Sequence, residues 1–586
     1  MNNIQSAGEH LDKIRHSLAH LLAAAVLKKY PDTLLAIGPT IEDGFYYDFL
    51  PKKPFTDEDL KIFESEMREL INQNLIFTHV SVSKEEALKK FNDQPFKKEL
   101  IEEFSNEGQE LTLYKTGEEF IDLCKGGHVD NTKEISGVGF KLRSLAGAYW
   151  RGSEKNPQLQ RIYGLAFKTN DELVKYQELK IEAEKRDHRK LGRELKLFTM
   201  SDMVGPGLPM FYPKGALLRR EVENLITEIQ EKQGYEPIWI PHIAKAELYK
   251  TSGHLEKYDA LFPPMNLKDE DVYYLKPMNC PHFMMLYKSL QHSYRDLPIR
   301  WTCTTTNYRY EKSGELGGLT RVRALTQDDC HVFATPLQIE AEINLMLETI
   351  YELYKIFNLN DFWVRISTHD PNNFIKYIGD KKIWHEAEEI LEKLIKDRGW
   401  KHEIGVGEAA FYGPKLDFIF KDALGREWQL STIQLDMNLP KRFELEYIDS
   451  ENKIKEPVLI HRAILGSTER FLGILIEHYA GIFPLWLAPI QVSILAVSEK
   501  YEDYAKKIEV LLKAQGIRAI KKQANETLGK RIRDAELEKI PFTLIVGEKE
   551  VTANTVSVRH IKKGDMGVSP IEEFLGQILD EIKSRQ

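Results

Sequence analysis

The run Gly318 to Ala334, GLTRVRALTQDDCHVFA, sets two arginines, two aspartates, a cysteine and a histidine among apolar residues that alternate as in a strand. In an extended chain, alternate side chains share a face. Arg321, Arg323, Leu325, Gln327, Asp329, His331 and Phe333 then lie on one side, and Val322, Ala324, Thr326, Asp328, Cys330, Val332 and Ala334 on the other. The first face is mostly chemistry and the second mostly packing. Cys330 is therefore expected to be a small buried hydrophobe, while His331 points with Gln327 and Asp329 toward a site.

Two other places bear on His331. KPMNCPHF presents Cys280 between an asparagine and a proline, in what reads as a tight turn, and IHRAILGSTERF places His461 just before an apolar helix containing a glycine. One cysteine and two histidines make a three-ligand zinc site with an open fourth position, the arrangement of a metal that handles substrate. Separations of 51 and 130 residues match no local zinc motif, so a structural role for each residue stands beside the metal reading.

NYRYEKSGELGGLTRVR reads as a hairpin, with Arg309 and Glu311 on the same side of one strand, a loop with three glycines, and Arg321 on the return. Such a hairpin can clamp a nucleoside triphosphate, with Arg309 on the α-phosphate, Glu311 at the adenine end and Arg321 on the terminal phosphates. Arginine–glutamate alternation is also what a solvated strand face looks like. Arg470, in GSTERF, adds a third guanidinium fork suited to phosphate oxygens. Near the N-terminus, RHSLAH puts His16 and His20 on one helix face, and DLCKGGH spaces Cys124 and His128 equally. Those four fit a zinc hydrolase or a set of paired polar core residues.

These residues need a large scaffold. A chain of 586 residues exceeds one hydrophobic core and predicts three or four domains. Leu11, Ile14, Leu18, Leu21, Leu22 and Ala25 recur at helical spacing over residues 9–30. Residues 170–197 read as one charged, solvated connecting helix, capped by Asn170 or Asp171. The cluster VGPGLPMFYPKG then opens a new domain. Its first helix aligns Leu217, Leu218, Val222, Leu225, Ile226 and Ile229, stops at Gly234 and enters a strand closed by Pro241. The last hundred residues alternate strand, helix, strand, helix, strand, strand, helix, with PFTLIVGEKE read wholly as strand, and form a small α/β domain.

With 81 basic and 90 acidic residues the net charge is -9, so any nucleic-acid surface must be a local patch. Lys521, Lys522, Lys530, Arg531 and Arg533 form such a set, or else a solvated helix face. No secretory signal is visible, and the longest apolar stretch, GIFPLWLAPIQVSILAV, carries two prolines and stops short of a membrane span. Four scattered cysteines make no disulfide framework, and a cytoplasmic enzyme without membrane contact is expected.

YRYEKSGELGGLTRVRALTQDDCHVF resembles motif 2 of class II aminoacyl-tRNA synthetases, GALLRREVENLITEIQEKQGYEPIWIP resembles motif 1, and GSTERFLGILIEHYAG resembles motif 3. The triplet in MNCP, QDDCH and IHRAILGS resembles that of the threonyl-tRNA synthetases within this class. The resemblance implies an α+β multidomain chain: an editing domain (1–168, α+β), a linker helix (169–195), a class II core (196–484, an antiparallel sheet with flanking helices) and an α/β anticodon-binding domain (485–586). It implies ATP-dependent attachment of L-threonine to tRNA(Thr) through an adenylate, with hydrolytic editing of seryl-tRNA(Thr), by a homodimer. Cys280, His331 and His461 match the zinc ligands. Gln327, Asp329 and Tyr412 match residues that orient the amino acid; Arg309, Glu311, Arg321, Lys415, Gln429 and Arg470 match ATP contacts, with Mg²⁺ on the phosphates. His254 matches an active-site histidine.

In the N-terminal segment His16, His20, Tyr47, Lys97, Asp122, Cys124 and His128 match an editing pocket that hydrolyses with a positioned water rather than a metal. Asn525, Arg533, Glu550 and Arg559 match positions that read the anticodon by edge hydrogen bonds and stacking. The sequence departs from the family pattern in three ways: it starts almost directly at the editing domain, without the ubiquitin-like domain that often precedes it; CKGGH replaces the commoner arginine and proline; and MNCPHF lacks the usual glycine before histidine. Two rivals remain, a catalytically silent RNA-binding relative and a zinc hydrolase built on the N-terminal four.

Overall fold

The computed structural model describes residues 2–118, 120–268, 271–422 and 424–585. The chain divides into two compact units, residues 1–181 and 182–586.

In the first unit, α1 (Asn2–Lys29) buries Ile14, Leu18, Leu21, Leu22 and Ala25 against strand β1 (Gly44–Leu50) and the helix Asp57–Asn72. The stripe of apolar residues every three to four positions drives this packing, and two terminal lysines complement the helix dipole. β1 belongs to a five-stranded sheet with Leu34–Leu35, Thr40–Ile41, Gly139–Tyr149 and Gln158–Phe167. Helix α2 (Pro95–Asn106) follows, and β2 (Phe120–Leu123) closes a separate three-stranded antiparallel sheet.

The stretch 170–197 is not one helix. It is two, Asn170–Arg186 and α3 (His188–Glu194), with Asp187 between them in a non-helical conformation, its carboxylate accepting from the Arg189 and Lys190 amides. An N-cap inside the charged run restarts the helix, and α3 buries His188 and Leu191 rather than lying wholly in solvent.

The second unit is built on an eight-stranded, largely antiparallel sheet. Its order is Glu236–Pro237, β3 (Ile299–Tyr308), β4 (Ala324–Ala334), β7 (Val458–Ala463), β6 (Glu427–Asp436), β5 (Lys415–Lys421), Phe362–Thr368, His402–Val406. One face is packed under helices α4 (Pro213–Lys232) and α6 (Thr468–His478) in a large apolar core that includes Cys330, Val332 and Ala334. The other face carries a smaller cluster in which α5 (Cys280–Lys288) contributes Cys280, Phe283 and Tyr287 beside Phe333 and Tyr412. Cys330 and His331 therefore face opposite ways, as period-two alternation requires.

The C-terminal part has a five-stranded mixed sheet with its own core around Val492, Ile494, Leu544 and Phe574. Helix α7 (Leu528–Leu537) lies where the sequence places it. The segment after Val546 is not strand: Glu548–Ala553 forms a short helix, α8, and Gly564–Pro570 adds a strand that the glycine-rich sequence hides.

Candidate active site

The ladders fix the site's floor. His331 on β4 sits directly opposite His461 on β7, which sits opposite Gln434 on β6, which sits opposite Lys415 on β5. One step along each strand pair, Asp329 faces Ala463, then Thr432, then Asp417. Directly opposed residues share a face of the sheet, so residues scattered over more than a hundred positions become rows on one surface.

Cys280 completes the first row from above. It is the first residue of α5 rather than part of a tight turn, and its ligand atom lies within 4.8 Å of those of His331 and His461. The two imidazole centroids are 4.6 Å apart, and the Phe283 ring covers His331 at 4.1 Å. Burial drives the His331 pKa well below its usual value and pushes the Cys280 thiol up. His331 is 1% exposed, yet neither ring nitrogen has a hydrogen-bond partner. An unsatisfied buried imidazole is costly, and a soft cysteine beside two histidines is a donor set that suits zinc. The residues present therefore fit the ion.

Asp329 accepts from Asn279 Nδ2 at 2.9 Å, and burial raises its pKa to about 6. Tyr412 donates to Gln434 at 2.5 Å and stacks 5.2 Å from His461. Gln327 accepts from Asn307 at 2.6 Å. His254 is buried, with Nδ1 2.7 Å from Ser252 Oγ and Nε2 unpartnered.

A cleft of about 190 Å³ adjoins this floor, lined by Arg309, Glu311, Arg321, Gln327, Gln429 and Arg470. Burial lowers the Arg470 pKa, and the charges of Arg309 and Arg321 lower it further. Three guanidiniums crowded around one space favour an anion there. β3 ends at Tyr308, so Arg309 and Glu311 lie beyond the strand and not along one of its faces. Arg321 pairs with Glu311 at 2.7 Å and with Glu315 at 2.9 Å. Lys415 and Gln429 both bond the buried Asp417, each at 2.7 Å.

Sequence reasoning missed the supporting polar groups Asn279, Asp417, Gln434 and Asp436. Asn279 adjoins Cys280 in a motif already singled out, and Asp417 shares a strand face with Lys415 two residues before it; Gln434 and Asp436 carry no local signal, because only strand register brings them to the site.

In the first unit the four expected residues also meet. Cys124 Sγ is 3.4 Å from His16 Nε2 and 3.3 Å from His128 Nε2, and the His20 and His128 centroids are 4.2 Å apart. Gly126 and Gly127 adopt φ of +99° and +87°, which bends the chain so that the Gly126 amide donates to Cys124 Sγ. Beneath them Tyr47 donates to Asp122 at 2.5 Å and accepts from Lys97 at 3.1 Å, while Lys97 also pairs with Asp122. Burial lowers the pKa values of His16, His20 and His128 and pushes the Cys124 thiol up to about 12.

The C-terminal basic set is less basic than its sequence. Lys521, Lys522 and Lys530 pair with Glu502, Glu538 and Glu526, and Arg531 is buried against the Glu526 carbonyl. Asn525 and Arg533 are exposed and Arg559 half-buried, whereas Glu550 caps α8 through the Gly547 amide.

Comparison with known proteins agrees with this geometry. The class II core domain of tRNA synthetases (G, H, P, S and T) matches residues 264–479, an anticodon-binding domain matches 491–581, and the second additional domain of threonyl and alanyl tRNA synthetases matches 111–163. Fold and site together define a class II aminoacyl-tRNA synthetase, whose co-substrate is ATP with Mg²⁺. The threonine--tRNA ligase of Gloeobacter violaceus is 49% identical over 99% of this chain and 94% of its own length, and that of Thermus thermophilus 47% identical over 98% and 89%. The solved RNA binding domain of threonyl-tRNA synthetase from Cryptosporidium parvum superposes with a TM-score of 0.64 at 35% identity, over 67% of this chain and 98% of that one. The chain belongs to the threonine--tRNA ligase family. Among the described residues, no helix is long and apolar enough to cross a membrane.

Proposed function

We propose that this chain works in the cytoplasm as a homodimer, with 1–168 as editing domain, 196–484 as catalytic core and 485–586 as anticodon-binding domain. It activates L-threonine with ATP and passes it to tRNA(Thr). The observation that carries the choice of amino acid is the meeting of Cys280, His331 and His461, all buried, with neither His331 nitrogen hydrogen-bonded.

Zinc held by those three would supply a Lewis-acid position that takes an amino group and a neighbouring hydroxyl together. The chain's own residues do the rest. Asp329, oriented by Asn279, accepts from the hydroxyl; Tyr412 and Gln327 fix the amino acid's orientation. Arg309 and Arg470 stabilise charge that builds on the α-phosphate, and Arg321 leaves Glu311 to hold the terminal phosphates, so that catalysis is mainly positional and electrostatic. Lys415 and Gln429, held by Asp417, contact the nucleotide.

In the first unit, His16, His20, Cys124 and His128 position a water against a seryl ester, above the Tyr47–Asp122–Lys97 network. Asn525, Arg533, Glu550 and Arg559 read the anticodon. The N-terminal four also converge closely enough for a metal, which keeps the zinc-hydrolase reading testable.

Threonine-dependent pyrophosphate exchange, run with metal analysis on the wild-type chain and on Cys280→Ser, decides both points. One zinc per chain, lost together with exchange in Cys280→Ser, is expected. Near-normal exchange in a zinc-free variant would overturn the role of the metal, and zinc retained by Cys280→Ser would favour the N-terminal site.

A further inference from the structure

His188 stands outside every motif named above, yet both of its ring nitrogens are committed. Nδ1 lies 2.6 Å from Glu477 Oε1, and the Leu319 amide donates to Nε2 at 3.1 Å. A backbone N–H can only donate, so Nε2 carries the lone pair and the proton sits on Nδ1, where the Glu477 carboxylate accepts it. Glu477 Oε1 also accepts the His188 amide at 3.0 Å, and its other oxygen takes Arg426. The pair is buried, and although Asp187, His188 and Glu477 lie close enough to suggest a metal, His188 has no nitrogen free to bind one.

What His188 holds matters. Leu319 is fully buried, the Thr320 carbonyl accepts from Arg470 Nε at 3.0 Å, and the next residue is Arg321. The loop before Arg321 is thus pinned at two successive residues, by the histidine of α3 and by an arginine of α6. Glu477, which orients that histidine, lies on α6 with Arg470. Gly318 fits under the ring only because it has no side chain: its φ is +60°, and a Cβ there would come within 2.3 Å of His188 Nε2.

We propose that His188 is a positioning residue for ATP, fixing through the Leu319 amide the loop that aims Arg321 at the terminal phosphates. The proposal rests on the reading of the arginine-lined cleft as the ATP site. It places a determinant of nucleotide affinity on the short helix that follows the connecting segment, outside the hairpin that carries Arg309 and Arg321.

The test measures ATP·Mg²⁺ affinity by calorimetry and both KM values in pyrophosphate exchange, using His188→Asn and His188→Gln. An asparagine amide reaches the position of Nδ1 and serves Glu477 but cannot reach Leu319; a glutamine carbonyl reaches the position of Nε2. His188→Asn is expected to weaken ATP binding roughly tenfold, the effect of leaving a buried amide unpaired, with the threonine KM unchanged, and His188→Gln to restore most of that loss. Gly318→Ala attacks the same contact from the loop side, its Cβ pressing on the His188 ring while both members of the buried pair keep their identity, and should raise the ATP Kd similarly. Unchanged ATP affinity in His188→Asn or in Gly318→Ala, a parallel shift of both KM values, or no rescue by glutamine would overturn the proposal. Because ATP affinity is read directly, it is tested even if exchange with threonine fails, a result that would count against the amino-acid assignment alone.

Discussion

Asp436 holds His461 from behind: its Oδ2 lies 3.0 Å from His461 Nε2, while its Oδ1 accepts the Asn438 and Leu439 amides at 2.8 and 2.9 Å. With the carboxylate fixed by two backbone donors, the His461 proton belongs on Nε2 and the lone pair on Nδ1 is left for a ligand. Carboxylate–histidine pairs of this kind orient metal ligands and raise their basicity. Asp436→Asn should therefore lower zinc affinity by roughly 10–100-fold, measured by competition with a chromophoric chelator. Exchange activity should recover as zinc is added back, which a variant with a collapsed pocket would not do.

Amino-acid selection should be uneven. Asp329 and a zinc held by Cys280, His331 and His461 would together ask for a hydroxyl, so valine should be rejected in exchange by about 10⁴-fold or more. Serine keeps the hydroxyl and lacks one methyl group, a difference worth only about 10–200-fold. Exchange rates with threonine, serine and valine check both figures, and equal rejection of serine and valine would contradict a site that selects for the hydroxyl.

Much of this arrangement was legible in the sequence. Period two over Gln327–Phe333 separates Cys330 from His331 because a strand has only two faces, and the helical stripe of α1 marks its buried side. Other features depend on partners that local pattern does not contain. Asp187 restarts a helix inside a charged run whose periodicity continues across it. Glu548–Ala553 follows the strand Phe542–Val546 after a single glycine and spans too few residues to show a helical period, although its capping by Glu550 is a local cue. The lysines of the C-terminal set read as a nucleic-acid patch until Glu502, Glu526 and Glu538, brought close by the fold or one helical turn away, neutralise them. Asp436 became visible only when strand register set it beside His461, whereas Asp417 lies two residues from Lys415 on one strand.

The network beneath the first-unit histidines should couple stability to hydrolysis. Lys97 and Asp122 are each 2% exposed and pair directly, with Tyr47 bonded to both. Lys97→Met leaves the carboxylate buried without its cation, a change that costs about 3–5 kcal/mol. Faster hydrogen–deuterium exchange within residues 1–181 and loss of seryl-tRNA deacylation are expected, while threonine-dependent exchange, carried by residues of the second unit, stays at the wild-type rate. A simultaneous fall in both activities would contradict this division of labour.

Acid should weaken the second unit through His254. Burial, followed by the electrostatic influence of His461, Arg309 and Arg442, lowers its pKa to about 3, against about 6.5 in an unfolded chain. Between those values the unfolded state binds the proton and the folded state does not, so stability is complete above about pH 6.5 and falls as pH drops toward 3. One such group contributes a slope of about 1.4 kcal/mol per pH unit in that window. Seven of the eight tryptophans lie beyond residue 182, so urea unfolding followed by their fluorescence reports mainly on this unit. His254→Gln, which keeps a polar group near Ser252 but cannot titrate, should unfold with a pH slope shallower by most of that amount between pH 6 and 4. Parallel slopes for the two proteins would mean that His254 takes up its proton at the same pH in the folded and unfolded chains, against the effect of its burial.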